Sequence, residues 1–177
     1  MEYPIIVKRD LGLLTTNNKN EGVILMIHGE GGHRLEILRL VAYLRTESPN
    51  VKVISLGVQK LNDGEIAHYP AHNIRSKNSL LESFVIWISF IPTLLNTIKI
   101  YCSYNISGVI STGPGLCIAP MLFLRCMGIK IIFIETFCRF KHRSFTGLVM
   151  SKFANRFLIQ NKELHPIYPN AEYCGRL

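Results

Sequence analysis

The chain has 177 residues, of which 48% are hydrophobic and only 18% charged, yet its net charge at pH 7 is +8. This length favours one domain with a substantial hydrophobic core, and a mean hydropathy of +0.21 is too low for a protein that crosses a membrane many times. The basic residues are scattered and form no nucleic-acid-binding motif, so nucleic acid is not the expected partner. An apolar, basic domain is instead typical of one that binds a phospholipid surface or a phosphorylated lipid.

The first 21 residues contain too short an apolar run for a signal peptide or a membrane-spanning helix. They are predicted to be a lead-in segment to a single domain over residues 22–177, in a protein of the cytoplasm. The five cysteines include no C-x-x-C pair, which favours buried thiols in a reducing compartment. The six histidines have no metal-like spacing, so no structural metal is expected.

The first half of the domain shows a strand, a helix and a second strand. Val23 to His28 is a continuous apolar run bounded by glycine, which predicts a buried parallel strand. Apolar side chains at helical spacing predict a helix over residues 33–46, and residues 51–56 predict the second strand. The polar segment 57–78 predicts a long loop with room for one short strand.

The second half continues the alternation. It predicts a helix over 79–99, a strand over 108–111, and a helix over 116–127 that ends at Gly128 as its C-cap. The remaining predicted elements are a strand at 129–135, a helix at 145–154, a strand at 156–160 and a last short strand near the C-terminus. This order predicts a doubly wound, mostly parallel, Rossmann-like α/β sheet.

Two glycine-rich turns follow predicted strands. The first, "HGEGGH" at 28–33, fails the dinucleotide fingerprint because Arg34 stands where glycine is needed, and it lacks the G-K-[ST] of a P-loop. Its glycines would still let the backbone approach an anion at the start of a helix, although a plain tight turn is the alternative. The second, Thr112-Gly113-Pro114-Gly115, has the same position after a strand. Both are expected at the carboxyl edge of the sheet, where α/β proteins bind ligands.

Three titratable side chains adjoin these turns and strand ends. His33 is either a general base, since the pKa of a histidine side chain lies near neutrality, or a residue that only contacts the ligand or the next loop. Both interpretations stay open. His28 is expected to be a satisfied core histidine. Glu135 ends a predicted strand and is either a site residue or a partner for Arg139 or Arg143.

Two segments are candidates for membrane contact. Ser83 to Ile98 carries no charge over 16 residues, which as a helix spans about 24 Å and falls short of a roughly 30 Å hydrocarbon core. A buried crossover helix is favoured there over an interfacial helix, and a spanning helix is favoured least. The basic loop at 139–143, with phenylalanines interleaved, is either solvated, on an anionic membrane, or bound to a diphosphate.

Several blocks together resemble a known family. "HGEGGHRLEILRL" resembles the G-S-G-G-H-T-x-E-M-L-R-L opening of the membrane-anchoring subunit of the two-part UDP-N-acetylglucosamine transferase of the dolichol pathway, whose bacterial relatives serve exopolysaccharide and capsule synthesis. The blocks "VISTGPGLCIAP", "FIETFCRFKHRSFTG", "FANRFLIQNKEL" and "YPNAEYCGRL" resemble later family motifs in the same order. The resemblance extends from about residue 22 to the end.

The resemblance implies the N-terminal half of a GT-B glycosyltransferase, with the UDP-sugar bound by a second, GT-B C-terminal-type subunit. It implies that the chain binds a polyprenyl-diphosphate-linked sugar peripherally at the inner membrane face, holds no cofactor itself and transfers no sugar alone. Glu36 and the predicted site residues other than Arg34 match the family motifs. The predicted catalytic residues are His33 and Glu135, and the predicted acceptor- and phosphate-binding residues are Gly29, Gly31, Gly32, Arg34, Gly113, Pro114, Gly115 and Arg139.

The sequence departs from the family pattern in the first turn. Glu30 replaces a Ser or Thr, which places a carboxylate beside the expected diphosphate, and Arg34 replaces a Thr and is expected to neutralise it. Two other functions remain as alternatives. One is a self-sufficient small α/β transferase or nucleotide-binding enzyme, which the lack of a ribose-binding acid after the second strand disfavours. The other is a non-catalytic membrane scaffold with purely structural glycine turns.

Overall fold

A computed structural model describes residues 22–61, 64–71 and 80–177, with only the backbone of residues 80–89. Within these ranges seven strands form one sheet in the order β3-β2-β1-β4-β5-β6-β7. Every neighbouring pair is parallel, which confirms the predicted Rossmann-like sheet. The strands are β1 Val23–His28, β2 Lys52–Gly57, β3 Ala67–Pro70, β4 Ile106–Ser111, β5 Ile131–Ile134, β6 Arg156–Ile159 and β7 Glu172–Tyr173.

Helices cover both faces of the sheet. One face packs against the first helix and the other against the remaining three, so two hydrophobic clusters form, one on each side. Short 3-10 turns at Gly115–Cys117 and Lys162–Leu164 follow β4 and β6. The helices are α1 Gly32–Glu47, α2 Leu80–Ser103, α3 Ile118–Cys126 and α4 Phe145–Phe153.

The predicted elements are present, with shifted ends. β1 has the predicted bounds, whereas α2 continues to Ser103 because Ile100 is fully buried in the core. The predicted loop at 57–78 contains β3, which pairs with β2, while residues 62–63 and 72–78 of that loop lie outside the described ranges. Gly128 adopts a φ of +83° and donates its N–H to the Arg125 carbonyl, as expected of a glycine C-cap.

The order of the strands reverses at β1. The chain proceeds from β1 to β2 on one side and later from β4 outward on the other, so the carboxyl ends of β1 and β4 lie side by side. The two glycine turns follow these two strands. They therefore meet at the switch point of the sheet, where open α/β folds bind ligands.

The uncharged stretch at 83–98 forms part of α2. Among the residues that the structure describes, no helix combines the length and the apolar character needed to cross a membrane. In the second half of α2, Thr97 and Ile100 are buried against the sheet, while Ile91, Leu95 and Ile98 are exposed. α2 is thus a crossover helix that presents an apolar stripe on its outer side.

The five cysteines are all free thiols. Cys117 and Cys174 are buried, as predicted, and burial raises the pKa of each thiol to about 12. The prediction of buried thiols is wrong for Cys102, Cys126 and Cys138, which are exposed at helix ends and in a loop.

Candidate functional site

The first glycine turn leads directly into an uncapped helix. Gly31 has a φ of +59° and precedes α1, no side chain caps the helix, and no acidic residue lies in its first turn. Leu35 makes the first helical hydrogen bond, 3.1 Å to the Gly31 carbonyl, so the preceding amides have no intrahelical acceptor. Those amides and the helix dipole together favour an anion at this end of α1.

The glycines of the two turns divide into two groups. A Cβ atom added at Gly29 would lie 2.9 Å from the Cβ of Pro114, so these two residues form the packed joint between the turns. A Cβ atom added at Gly31, Gly32 or Gly115 would meet no atom of the described residues within 4 Å. These three predicted binding residues therefore border open space, as close approach of a ligand to the backbone requires.

His33 joins the two turns through hydrogen bonds. Its Nδ1 lies 2.8 Å from the Thr112 carbonyl oxygen, and the Thr112 hydroxyl donates to the His33 carbonyl at 3.0 Å. A carbonyl only accepts, so Nδ1 carries the proton and the neutral ring keeps its lone pair on Nε2. The side chain is 30% exposed. The ring is therefore oriented and in the tautomer that accepts a proton at Nε2.

Gly113 lies between the two predicted catalytic side chains. A Cβ atom there would be 3.7 Å from Cε1 of His33 and 3.9 Å from Oε1 of Glu135. Its φ of +103° is a conformation that favours glycine. The structure thus brings His33 and Glu135 to opposite sides of Gly113 without direct contact.

Glu135 is fully buried and its carboxylate is fully occupied. Its Oε2 accepts from the hydroxyls of Ser144, at 2.9 Å, and Tyr168, at 3.0 Å, while Oε1 accepts from the Thr136 N–H. Ser144 in turn caps α4 by accepting from the Gly147 N–H at 2.7 Å. Burial and this neighbouring carboxylate raise the pKa of Tyr168. Glu135 therefore holds α4 and Tyr168 at the end of β5. Within the described residues it forms no ion pair with Arg139 or Arg143.

The two predicted phosphate-binding arginines lie apart. The guanidinium of Arg34 donates to the carbonyl of Lys60 at 2.8 Å and to that of Leu61 at 3.4 Å, so it contacts the loop after β2. Arg139 is exposed in the loop after β5, and its carbonyl accepts from Asn161. Phosphate binding by either arginine stays a prediction.

Sequence reasoning assigned no role to a buried network behind the turn. Glu36 on α1 is fully buried and accepts from the side chains of Thr136 and Gln160. The sequence signal for this network was a carboxylate, Glu36, on the face of α1 that also carries Ile37 and Leu40 and is otherwise apolar and buried. These partners lie 100 and 124 positions away and could not be inferred from spacing.

His28 differs from the expectation of a satisfied core histidine. It is fully buried, and its Nδ1 lies 3.0 Å from the Gly29 carbonyl, but Nε2 has no hydrogen-bond partner in the part of the chain that the structure describes. The ring lies over Gly57, where a Cβ atom would be 2.4 Å away. Burial lowers the pKa of His28 below its ordinary value, since the protonated ring would lose its hydration.

Within residues 22–61, 64–71 and 80–177, no group of three His, Cys, Asp or Glu side chains is placed to hold a metal ion. That no metal is needed stays a prediction. The chemistry that the described site offers is an anion-binding helix end beside an imidazole acceptor.

The chain is similar to known proteins in sequence and in fold. Its relatives include the UDP-N-acetylglucosamine transferase subunits ALG14 of rat (29% identity, covering 99% of this chain and 87% of that protein), human (29%, 87% and 82%) and Kluyveromyces lactis (27%, 96% and 86%). Among solved structures, MurG of Acinetobacter baumannii superposes with a TM-score of 0.59 at 18% identity, over 78% of this chain and 41% of that one. This likeness shows the fold, that of GT-B glycosyltransferases.

The family profile described as "Oligosaccharide biosynthesis protein Alg14 like" matches residues 24–177. That range includes β1 from Ile24 onward, both glycine turns, His33 and Glu135. The resemblance drawn from the sequence motifs is thereby confirmed. The chain belongs to the Alg14-like family of oligosaccharide biosynthesis proteins.

Proposed function

We propose that this chain is the acceptor-binding half of a two-chain glycosyltransferase. It binds a polyprenyl-diphosphate-linked sugar at the inner face of the cytoplasmic membrane and recruits a GT-B C-terminal-type subunit that binds the UDP-sugar. The names of its relatives, subunits of a UDP-N-acetylglucosamine transferase, support a role as one of several subunits. The product would serve exopolysaccharide, capsule or lipid-linked oligosaccharide synthesis.

The open end of α1 is the observation that carries this proposal. A diphosphate needs a site where backbone N–H groups are free to donate and no side chain blocks the approach. The start of α1 is uncapped, and Gly31, Gly32 and Gly115 border open space. The diphosphate would bind there, with the sugar that it carries beside His33.

His33 would act as the general base. A hydroxyl of the lipid-linked sugar attacks the anomeric carbon of the UDP-sugar, a new carbon–oxygen bond forms, and the bond to the UDP oxygen breaks. The hydroxyl proton passes to Nε2, which holds the lone pair because Nδ1 donates to Thr112. The neutral ring offers an acceptor at Nε2, and a diphosphate needs donors, so this tautomer favours proton transfer over diphosphate binding.

The partner subunit would supply the rest of the active site. In a GT-B enzyme the reaction takes place in a cleft between two α/β halves, and the fold of this chain corresponds to 41% of the MurG chain. The described residues form one such half. We therefore expect the isolated chain to bind acceptor weakly and to transfer no sugar.

Membrane attachment would be peripheral. The apolar stripe of α2, formed by Ile91, Leu95 and Ile98, is exposed, and Phe145, at the start of α4, is 75% exposed. α2, α3 and α4 pack side by side on one face of the sheet, so their outer surfaces face the same way. The basic loop at 139–143 precedes Phe145 and would add attraction to anionic lipid.

The test is reconstitution. The purified chain, a GT-B C-terminal-type polypeptide encoded beside it, a polyprenyl-diphosphate sugar and a UDP-sugar are combined, with UDP-N-acetylglucosamine as the first donor. Transfer is expected only when both polypeptides are present. Transfer by this chain alone, with no co-purifying protein by mass spectrometry, would establish a self-sufficient enzyme. If substitutions at Gly32 and His33 leave transfer by the two polypeptides unchanged, this chain is a non-catalytic scaffold.

A further inference from the structure

A buried carboxylate lies directly behind the candidate base. Glu36 follows His33 by one turn of α1, and its Oε2 is 3.8 Å from Nδ1 of His33. The side chain of Glu36 is fully buried. Because burial of a carboxylate is costly unless its charge is compensated, the surroundings of Glu36 indicate what it does.

The two carboxylate oxygens of Glu36 have different surroundings. Oε1 accepts three hydrogen bonds, from the Thr136 hydroxyl at 3.0 Å, the Phe137 N–H at 2.9 Å and Nε2 of Gln160 at 3.1 Å. Oε2 has no hydrogen-bond partner among the described residues and faces His33. Three donors on one oxygen fit an ionised, acceptor-only carboxylate.

The network holds this carboxylate in one orientation. Nε2 of Gln160 also donates to the Glu135 carbonyl at 3.1 Å, while its Oε1 accepts from the Leu177 N–H at 2.9 Å. A flipped Gln160 amide would lose these bonds, so its donor side stays on Glu36. Glu36 therefore cannot turn to solvent without breaking contacts to the ends of β5 and β6.

We infer that Glu36 is the positioning residue of His33, and that its free oxygen stabilises the positive charge which the ring gains when Nε2 accepts a proton. The three hydrogen bonds all end on Oε1, so the second oxygen, which faces the ring, is the one that serves His33. An opposite charge at 3.8 Å favours the protonated ring, and the bond from Nδ1 to Thr112 holds the ring in place.

The other charged groups near the ring are already engaged. Glu135 lies beyond Gly113 with both oxygens hydrogen-bonded, and the Arg34 guanidinium contacts the carbonyls of Lys60 and Leu61. Glu30 is exposed at the turn. Glu36 is therefore the buried carboxylate with an oxygen available to His33.

The direct test is a pH titration of the histidine rings by long-range ¹H–¹⁵N NMR in the purified chain, with His33 assigned from a His33→Gln variant. In Glu36→Gln the titration midpoint of His33 should move to lower pH by about one unit, a tenfold weaker proton affinity. The matched control is Glu30→Gln, which removes an exposed carboxylate from the same turn and should move the midpoint far less. A midpoint that is the same in folded Glu36→Gln and in the wild type would overturn the inference.

A second measurement covers the case in which Glu36→Gln does not fold. Glu36→Asp keeps the negative charge, but its shorter side chain withdraws the carboxylate from Nδ1 of His33. The titration midpoint of His33 in folded Glu36→Asp should therefore also lie below that of the wild type. Equal midpoints in Glu36→Asp and the wild type would overturn the inference.

The role in transfer rests on the proposed function and is tested separately. With the partner subunit present, Glu36→Gln should lower kcat about tenfold and move the acid limb of its pH profile to lower pH, with little change in acceptor KM. A shifted NMR titration with an unchanged kcat profile would leave the coupling of Glu36 to His33 intact and would refute the base role of His33. An unshifted titration refutes the coupling itself.

Discussion

The substitution Glu135→Gln separates anchoring from catalysis at the end of β5. The carboxylate accepts from Ser144, Tyr168 and the Thr136 N–H, and it is fully buried. An amide keeps one acceptor oxygen and presents an NH₂ group at the other position. At the Oε1 position the NH₂ group would face the Thr136 N–H, and at the Oε2 position it would require the Ser144 and Tyr168 hydroxyls to turn and accept instead of donating.

The expected loss is the strength that these hydrogen bonds owe to the charge of the carboxylate, which a neutral amide lacks. Such bonds contribute about 1.5–3 kcal/mol each, so the free energy of unfolding should fall by about 2–3 kcal/mol. In a domain of this size that corresponds to a Tm lower by roughly 4–12 °C. Since the carboxylate does not face the open rim, kcat with the partner subunit should change by less than about tenfold, whereas loss of an acid–base group costs about 10² or more.

Urea unfolding and the transfer assay measure the two quantities on the same preparation. Tyr168→Phe removes one of the donors to Glu135, so the double variant with Glu135→Gln should lose about 1 kcal/mol less than the sum of the single losses. Ser151→Ala, an exposed change on the same helix as the Ser144 cap, serves as the control for both assays. If kcat falls by 10² or more while the free energy of unfolding is unchanged, Glu135 is a catalytic residue and its anchoring role is refuted.

Four further predictions follow from the site and the surface. Gly32→Val should raise the acceptor KM with an unchanged circular dichroism spectrum, because the new side chain fills open space where the diphosphate is expected; an unchanged KM contradicts this. His33→Ala should lower kcat by about 10² or more, whereas a rise in KM alone would indicate diphosphate positioning. Burial lowers the pKa of His28 below its ordinary 6.5, so the unfolded chain binds a proton at this ring more readily than the folded chain does. The free energy of unfolding should therefore fall as pH drops below about 6.5, and it should fall less steeply in His28→Gln. An equal pH dependence of stability in the two proteins would contradict this. Binding to anionic vesicles should weaken as salt rises and weaken further in Phe145→Ser; resistance to carbonate extraction would favour a spanning helix instead.

Much of the fold was predictable because its signals are local. Val23 to Ile27 is apolar at every position, and this reflects a central parallel strand that is buried on both faces. The glycine at 128 ends α3 through a positive φ that other residues rarely adopt. Where β3 lies, the sequence predicts only a loop with room for a short strand, because three half-buried residues and one exposed residue at a sheet edge carry a weak hydrophobic pattern.

The candidate site was predictable only in part. The glycine turns and His33 were identifiable by residue type and by their position after strands, and the structure brings them together at the switch point. Glu135 was correctly placed at a strand end, but its partners were not foreseen. Ser144 and Tyr168 are ordinary polar residues whose importance comes from a buried carboxylate between them.

The sequence by itself determined the alternation of strands and helices, the two glycine turns and the family, because each depends on residues close together in the chain or on motifs in a fixed order. Only the tertiary structure decided which polar groups meet. Thr136 and Gln160 lie 100 and 124 positions from Glu36, yet both donate to its carboxylate. Contacts of that kind arise when parallel strands bring their carboxyl ends to one edge of the sheet, and no local pattern of hydrophobicity or turn residues encodes them.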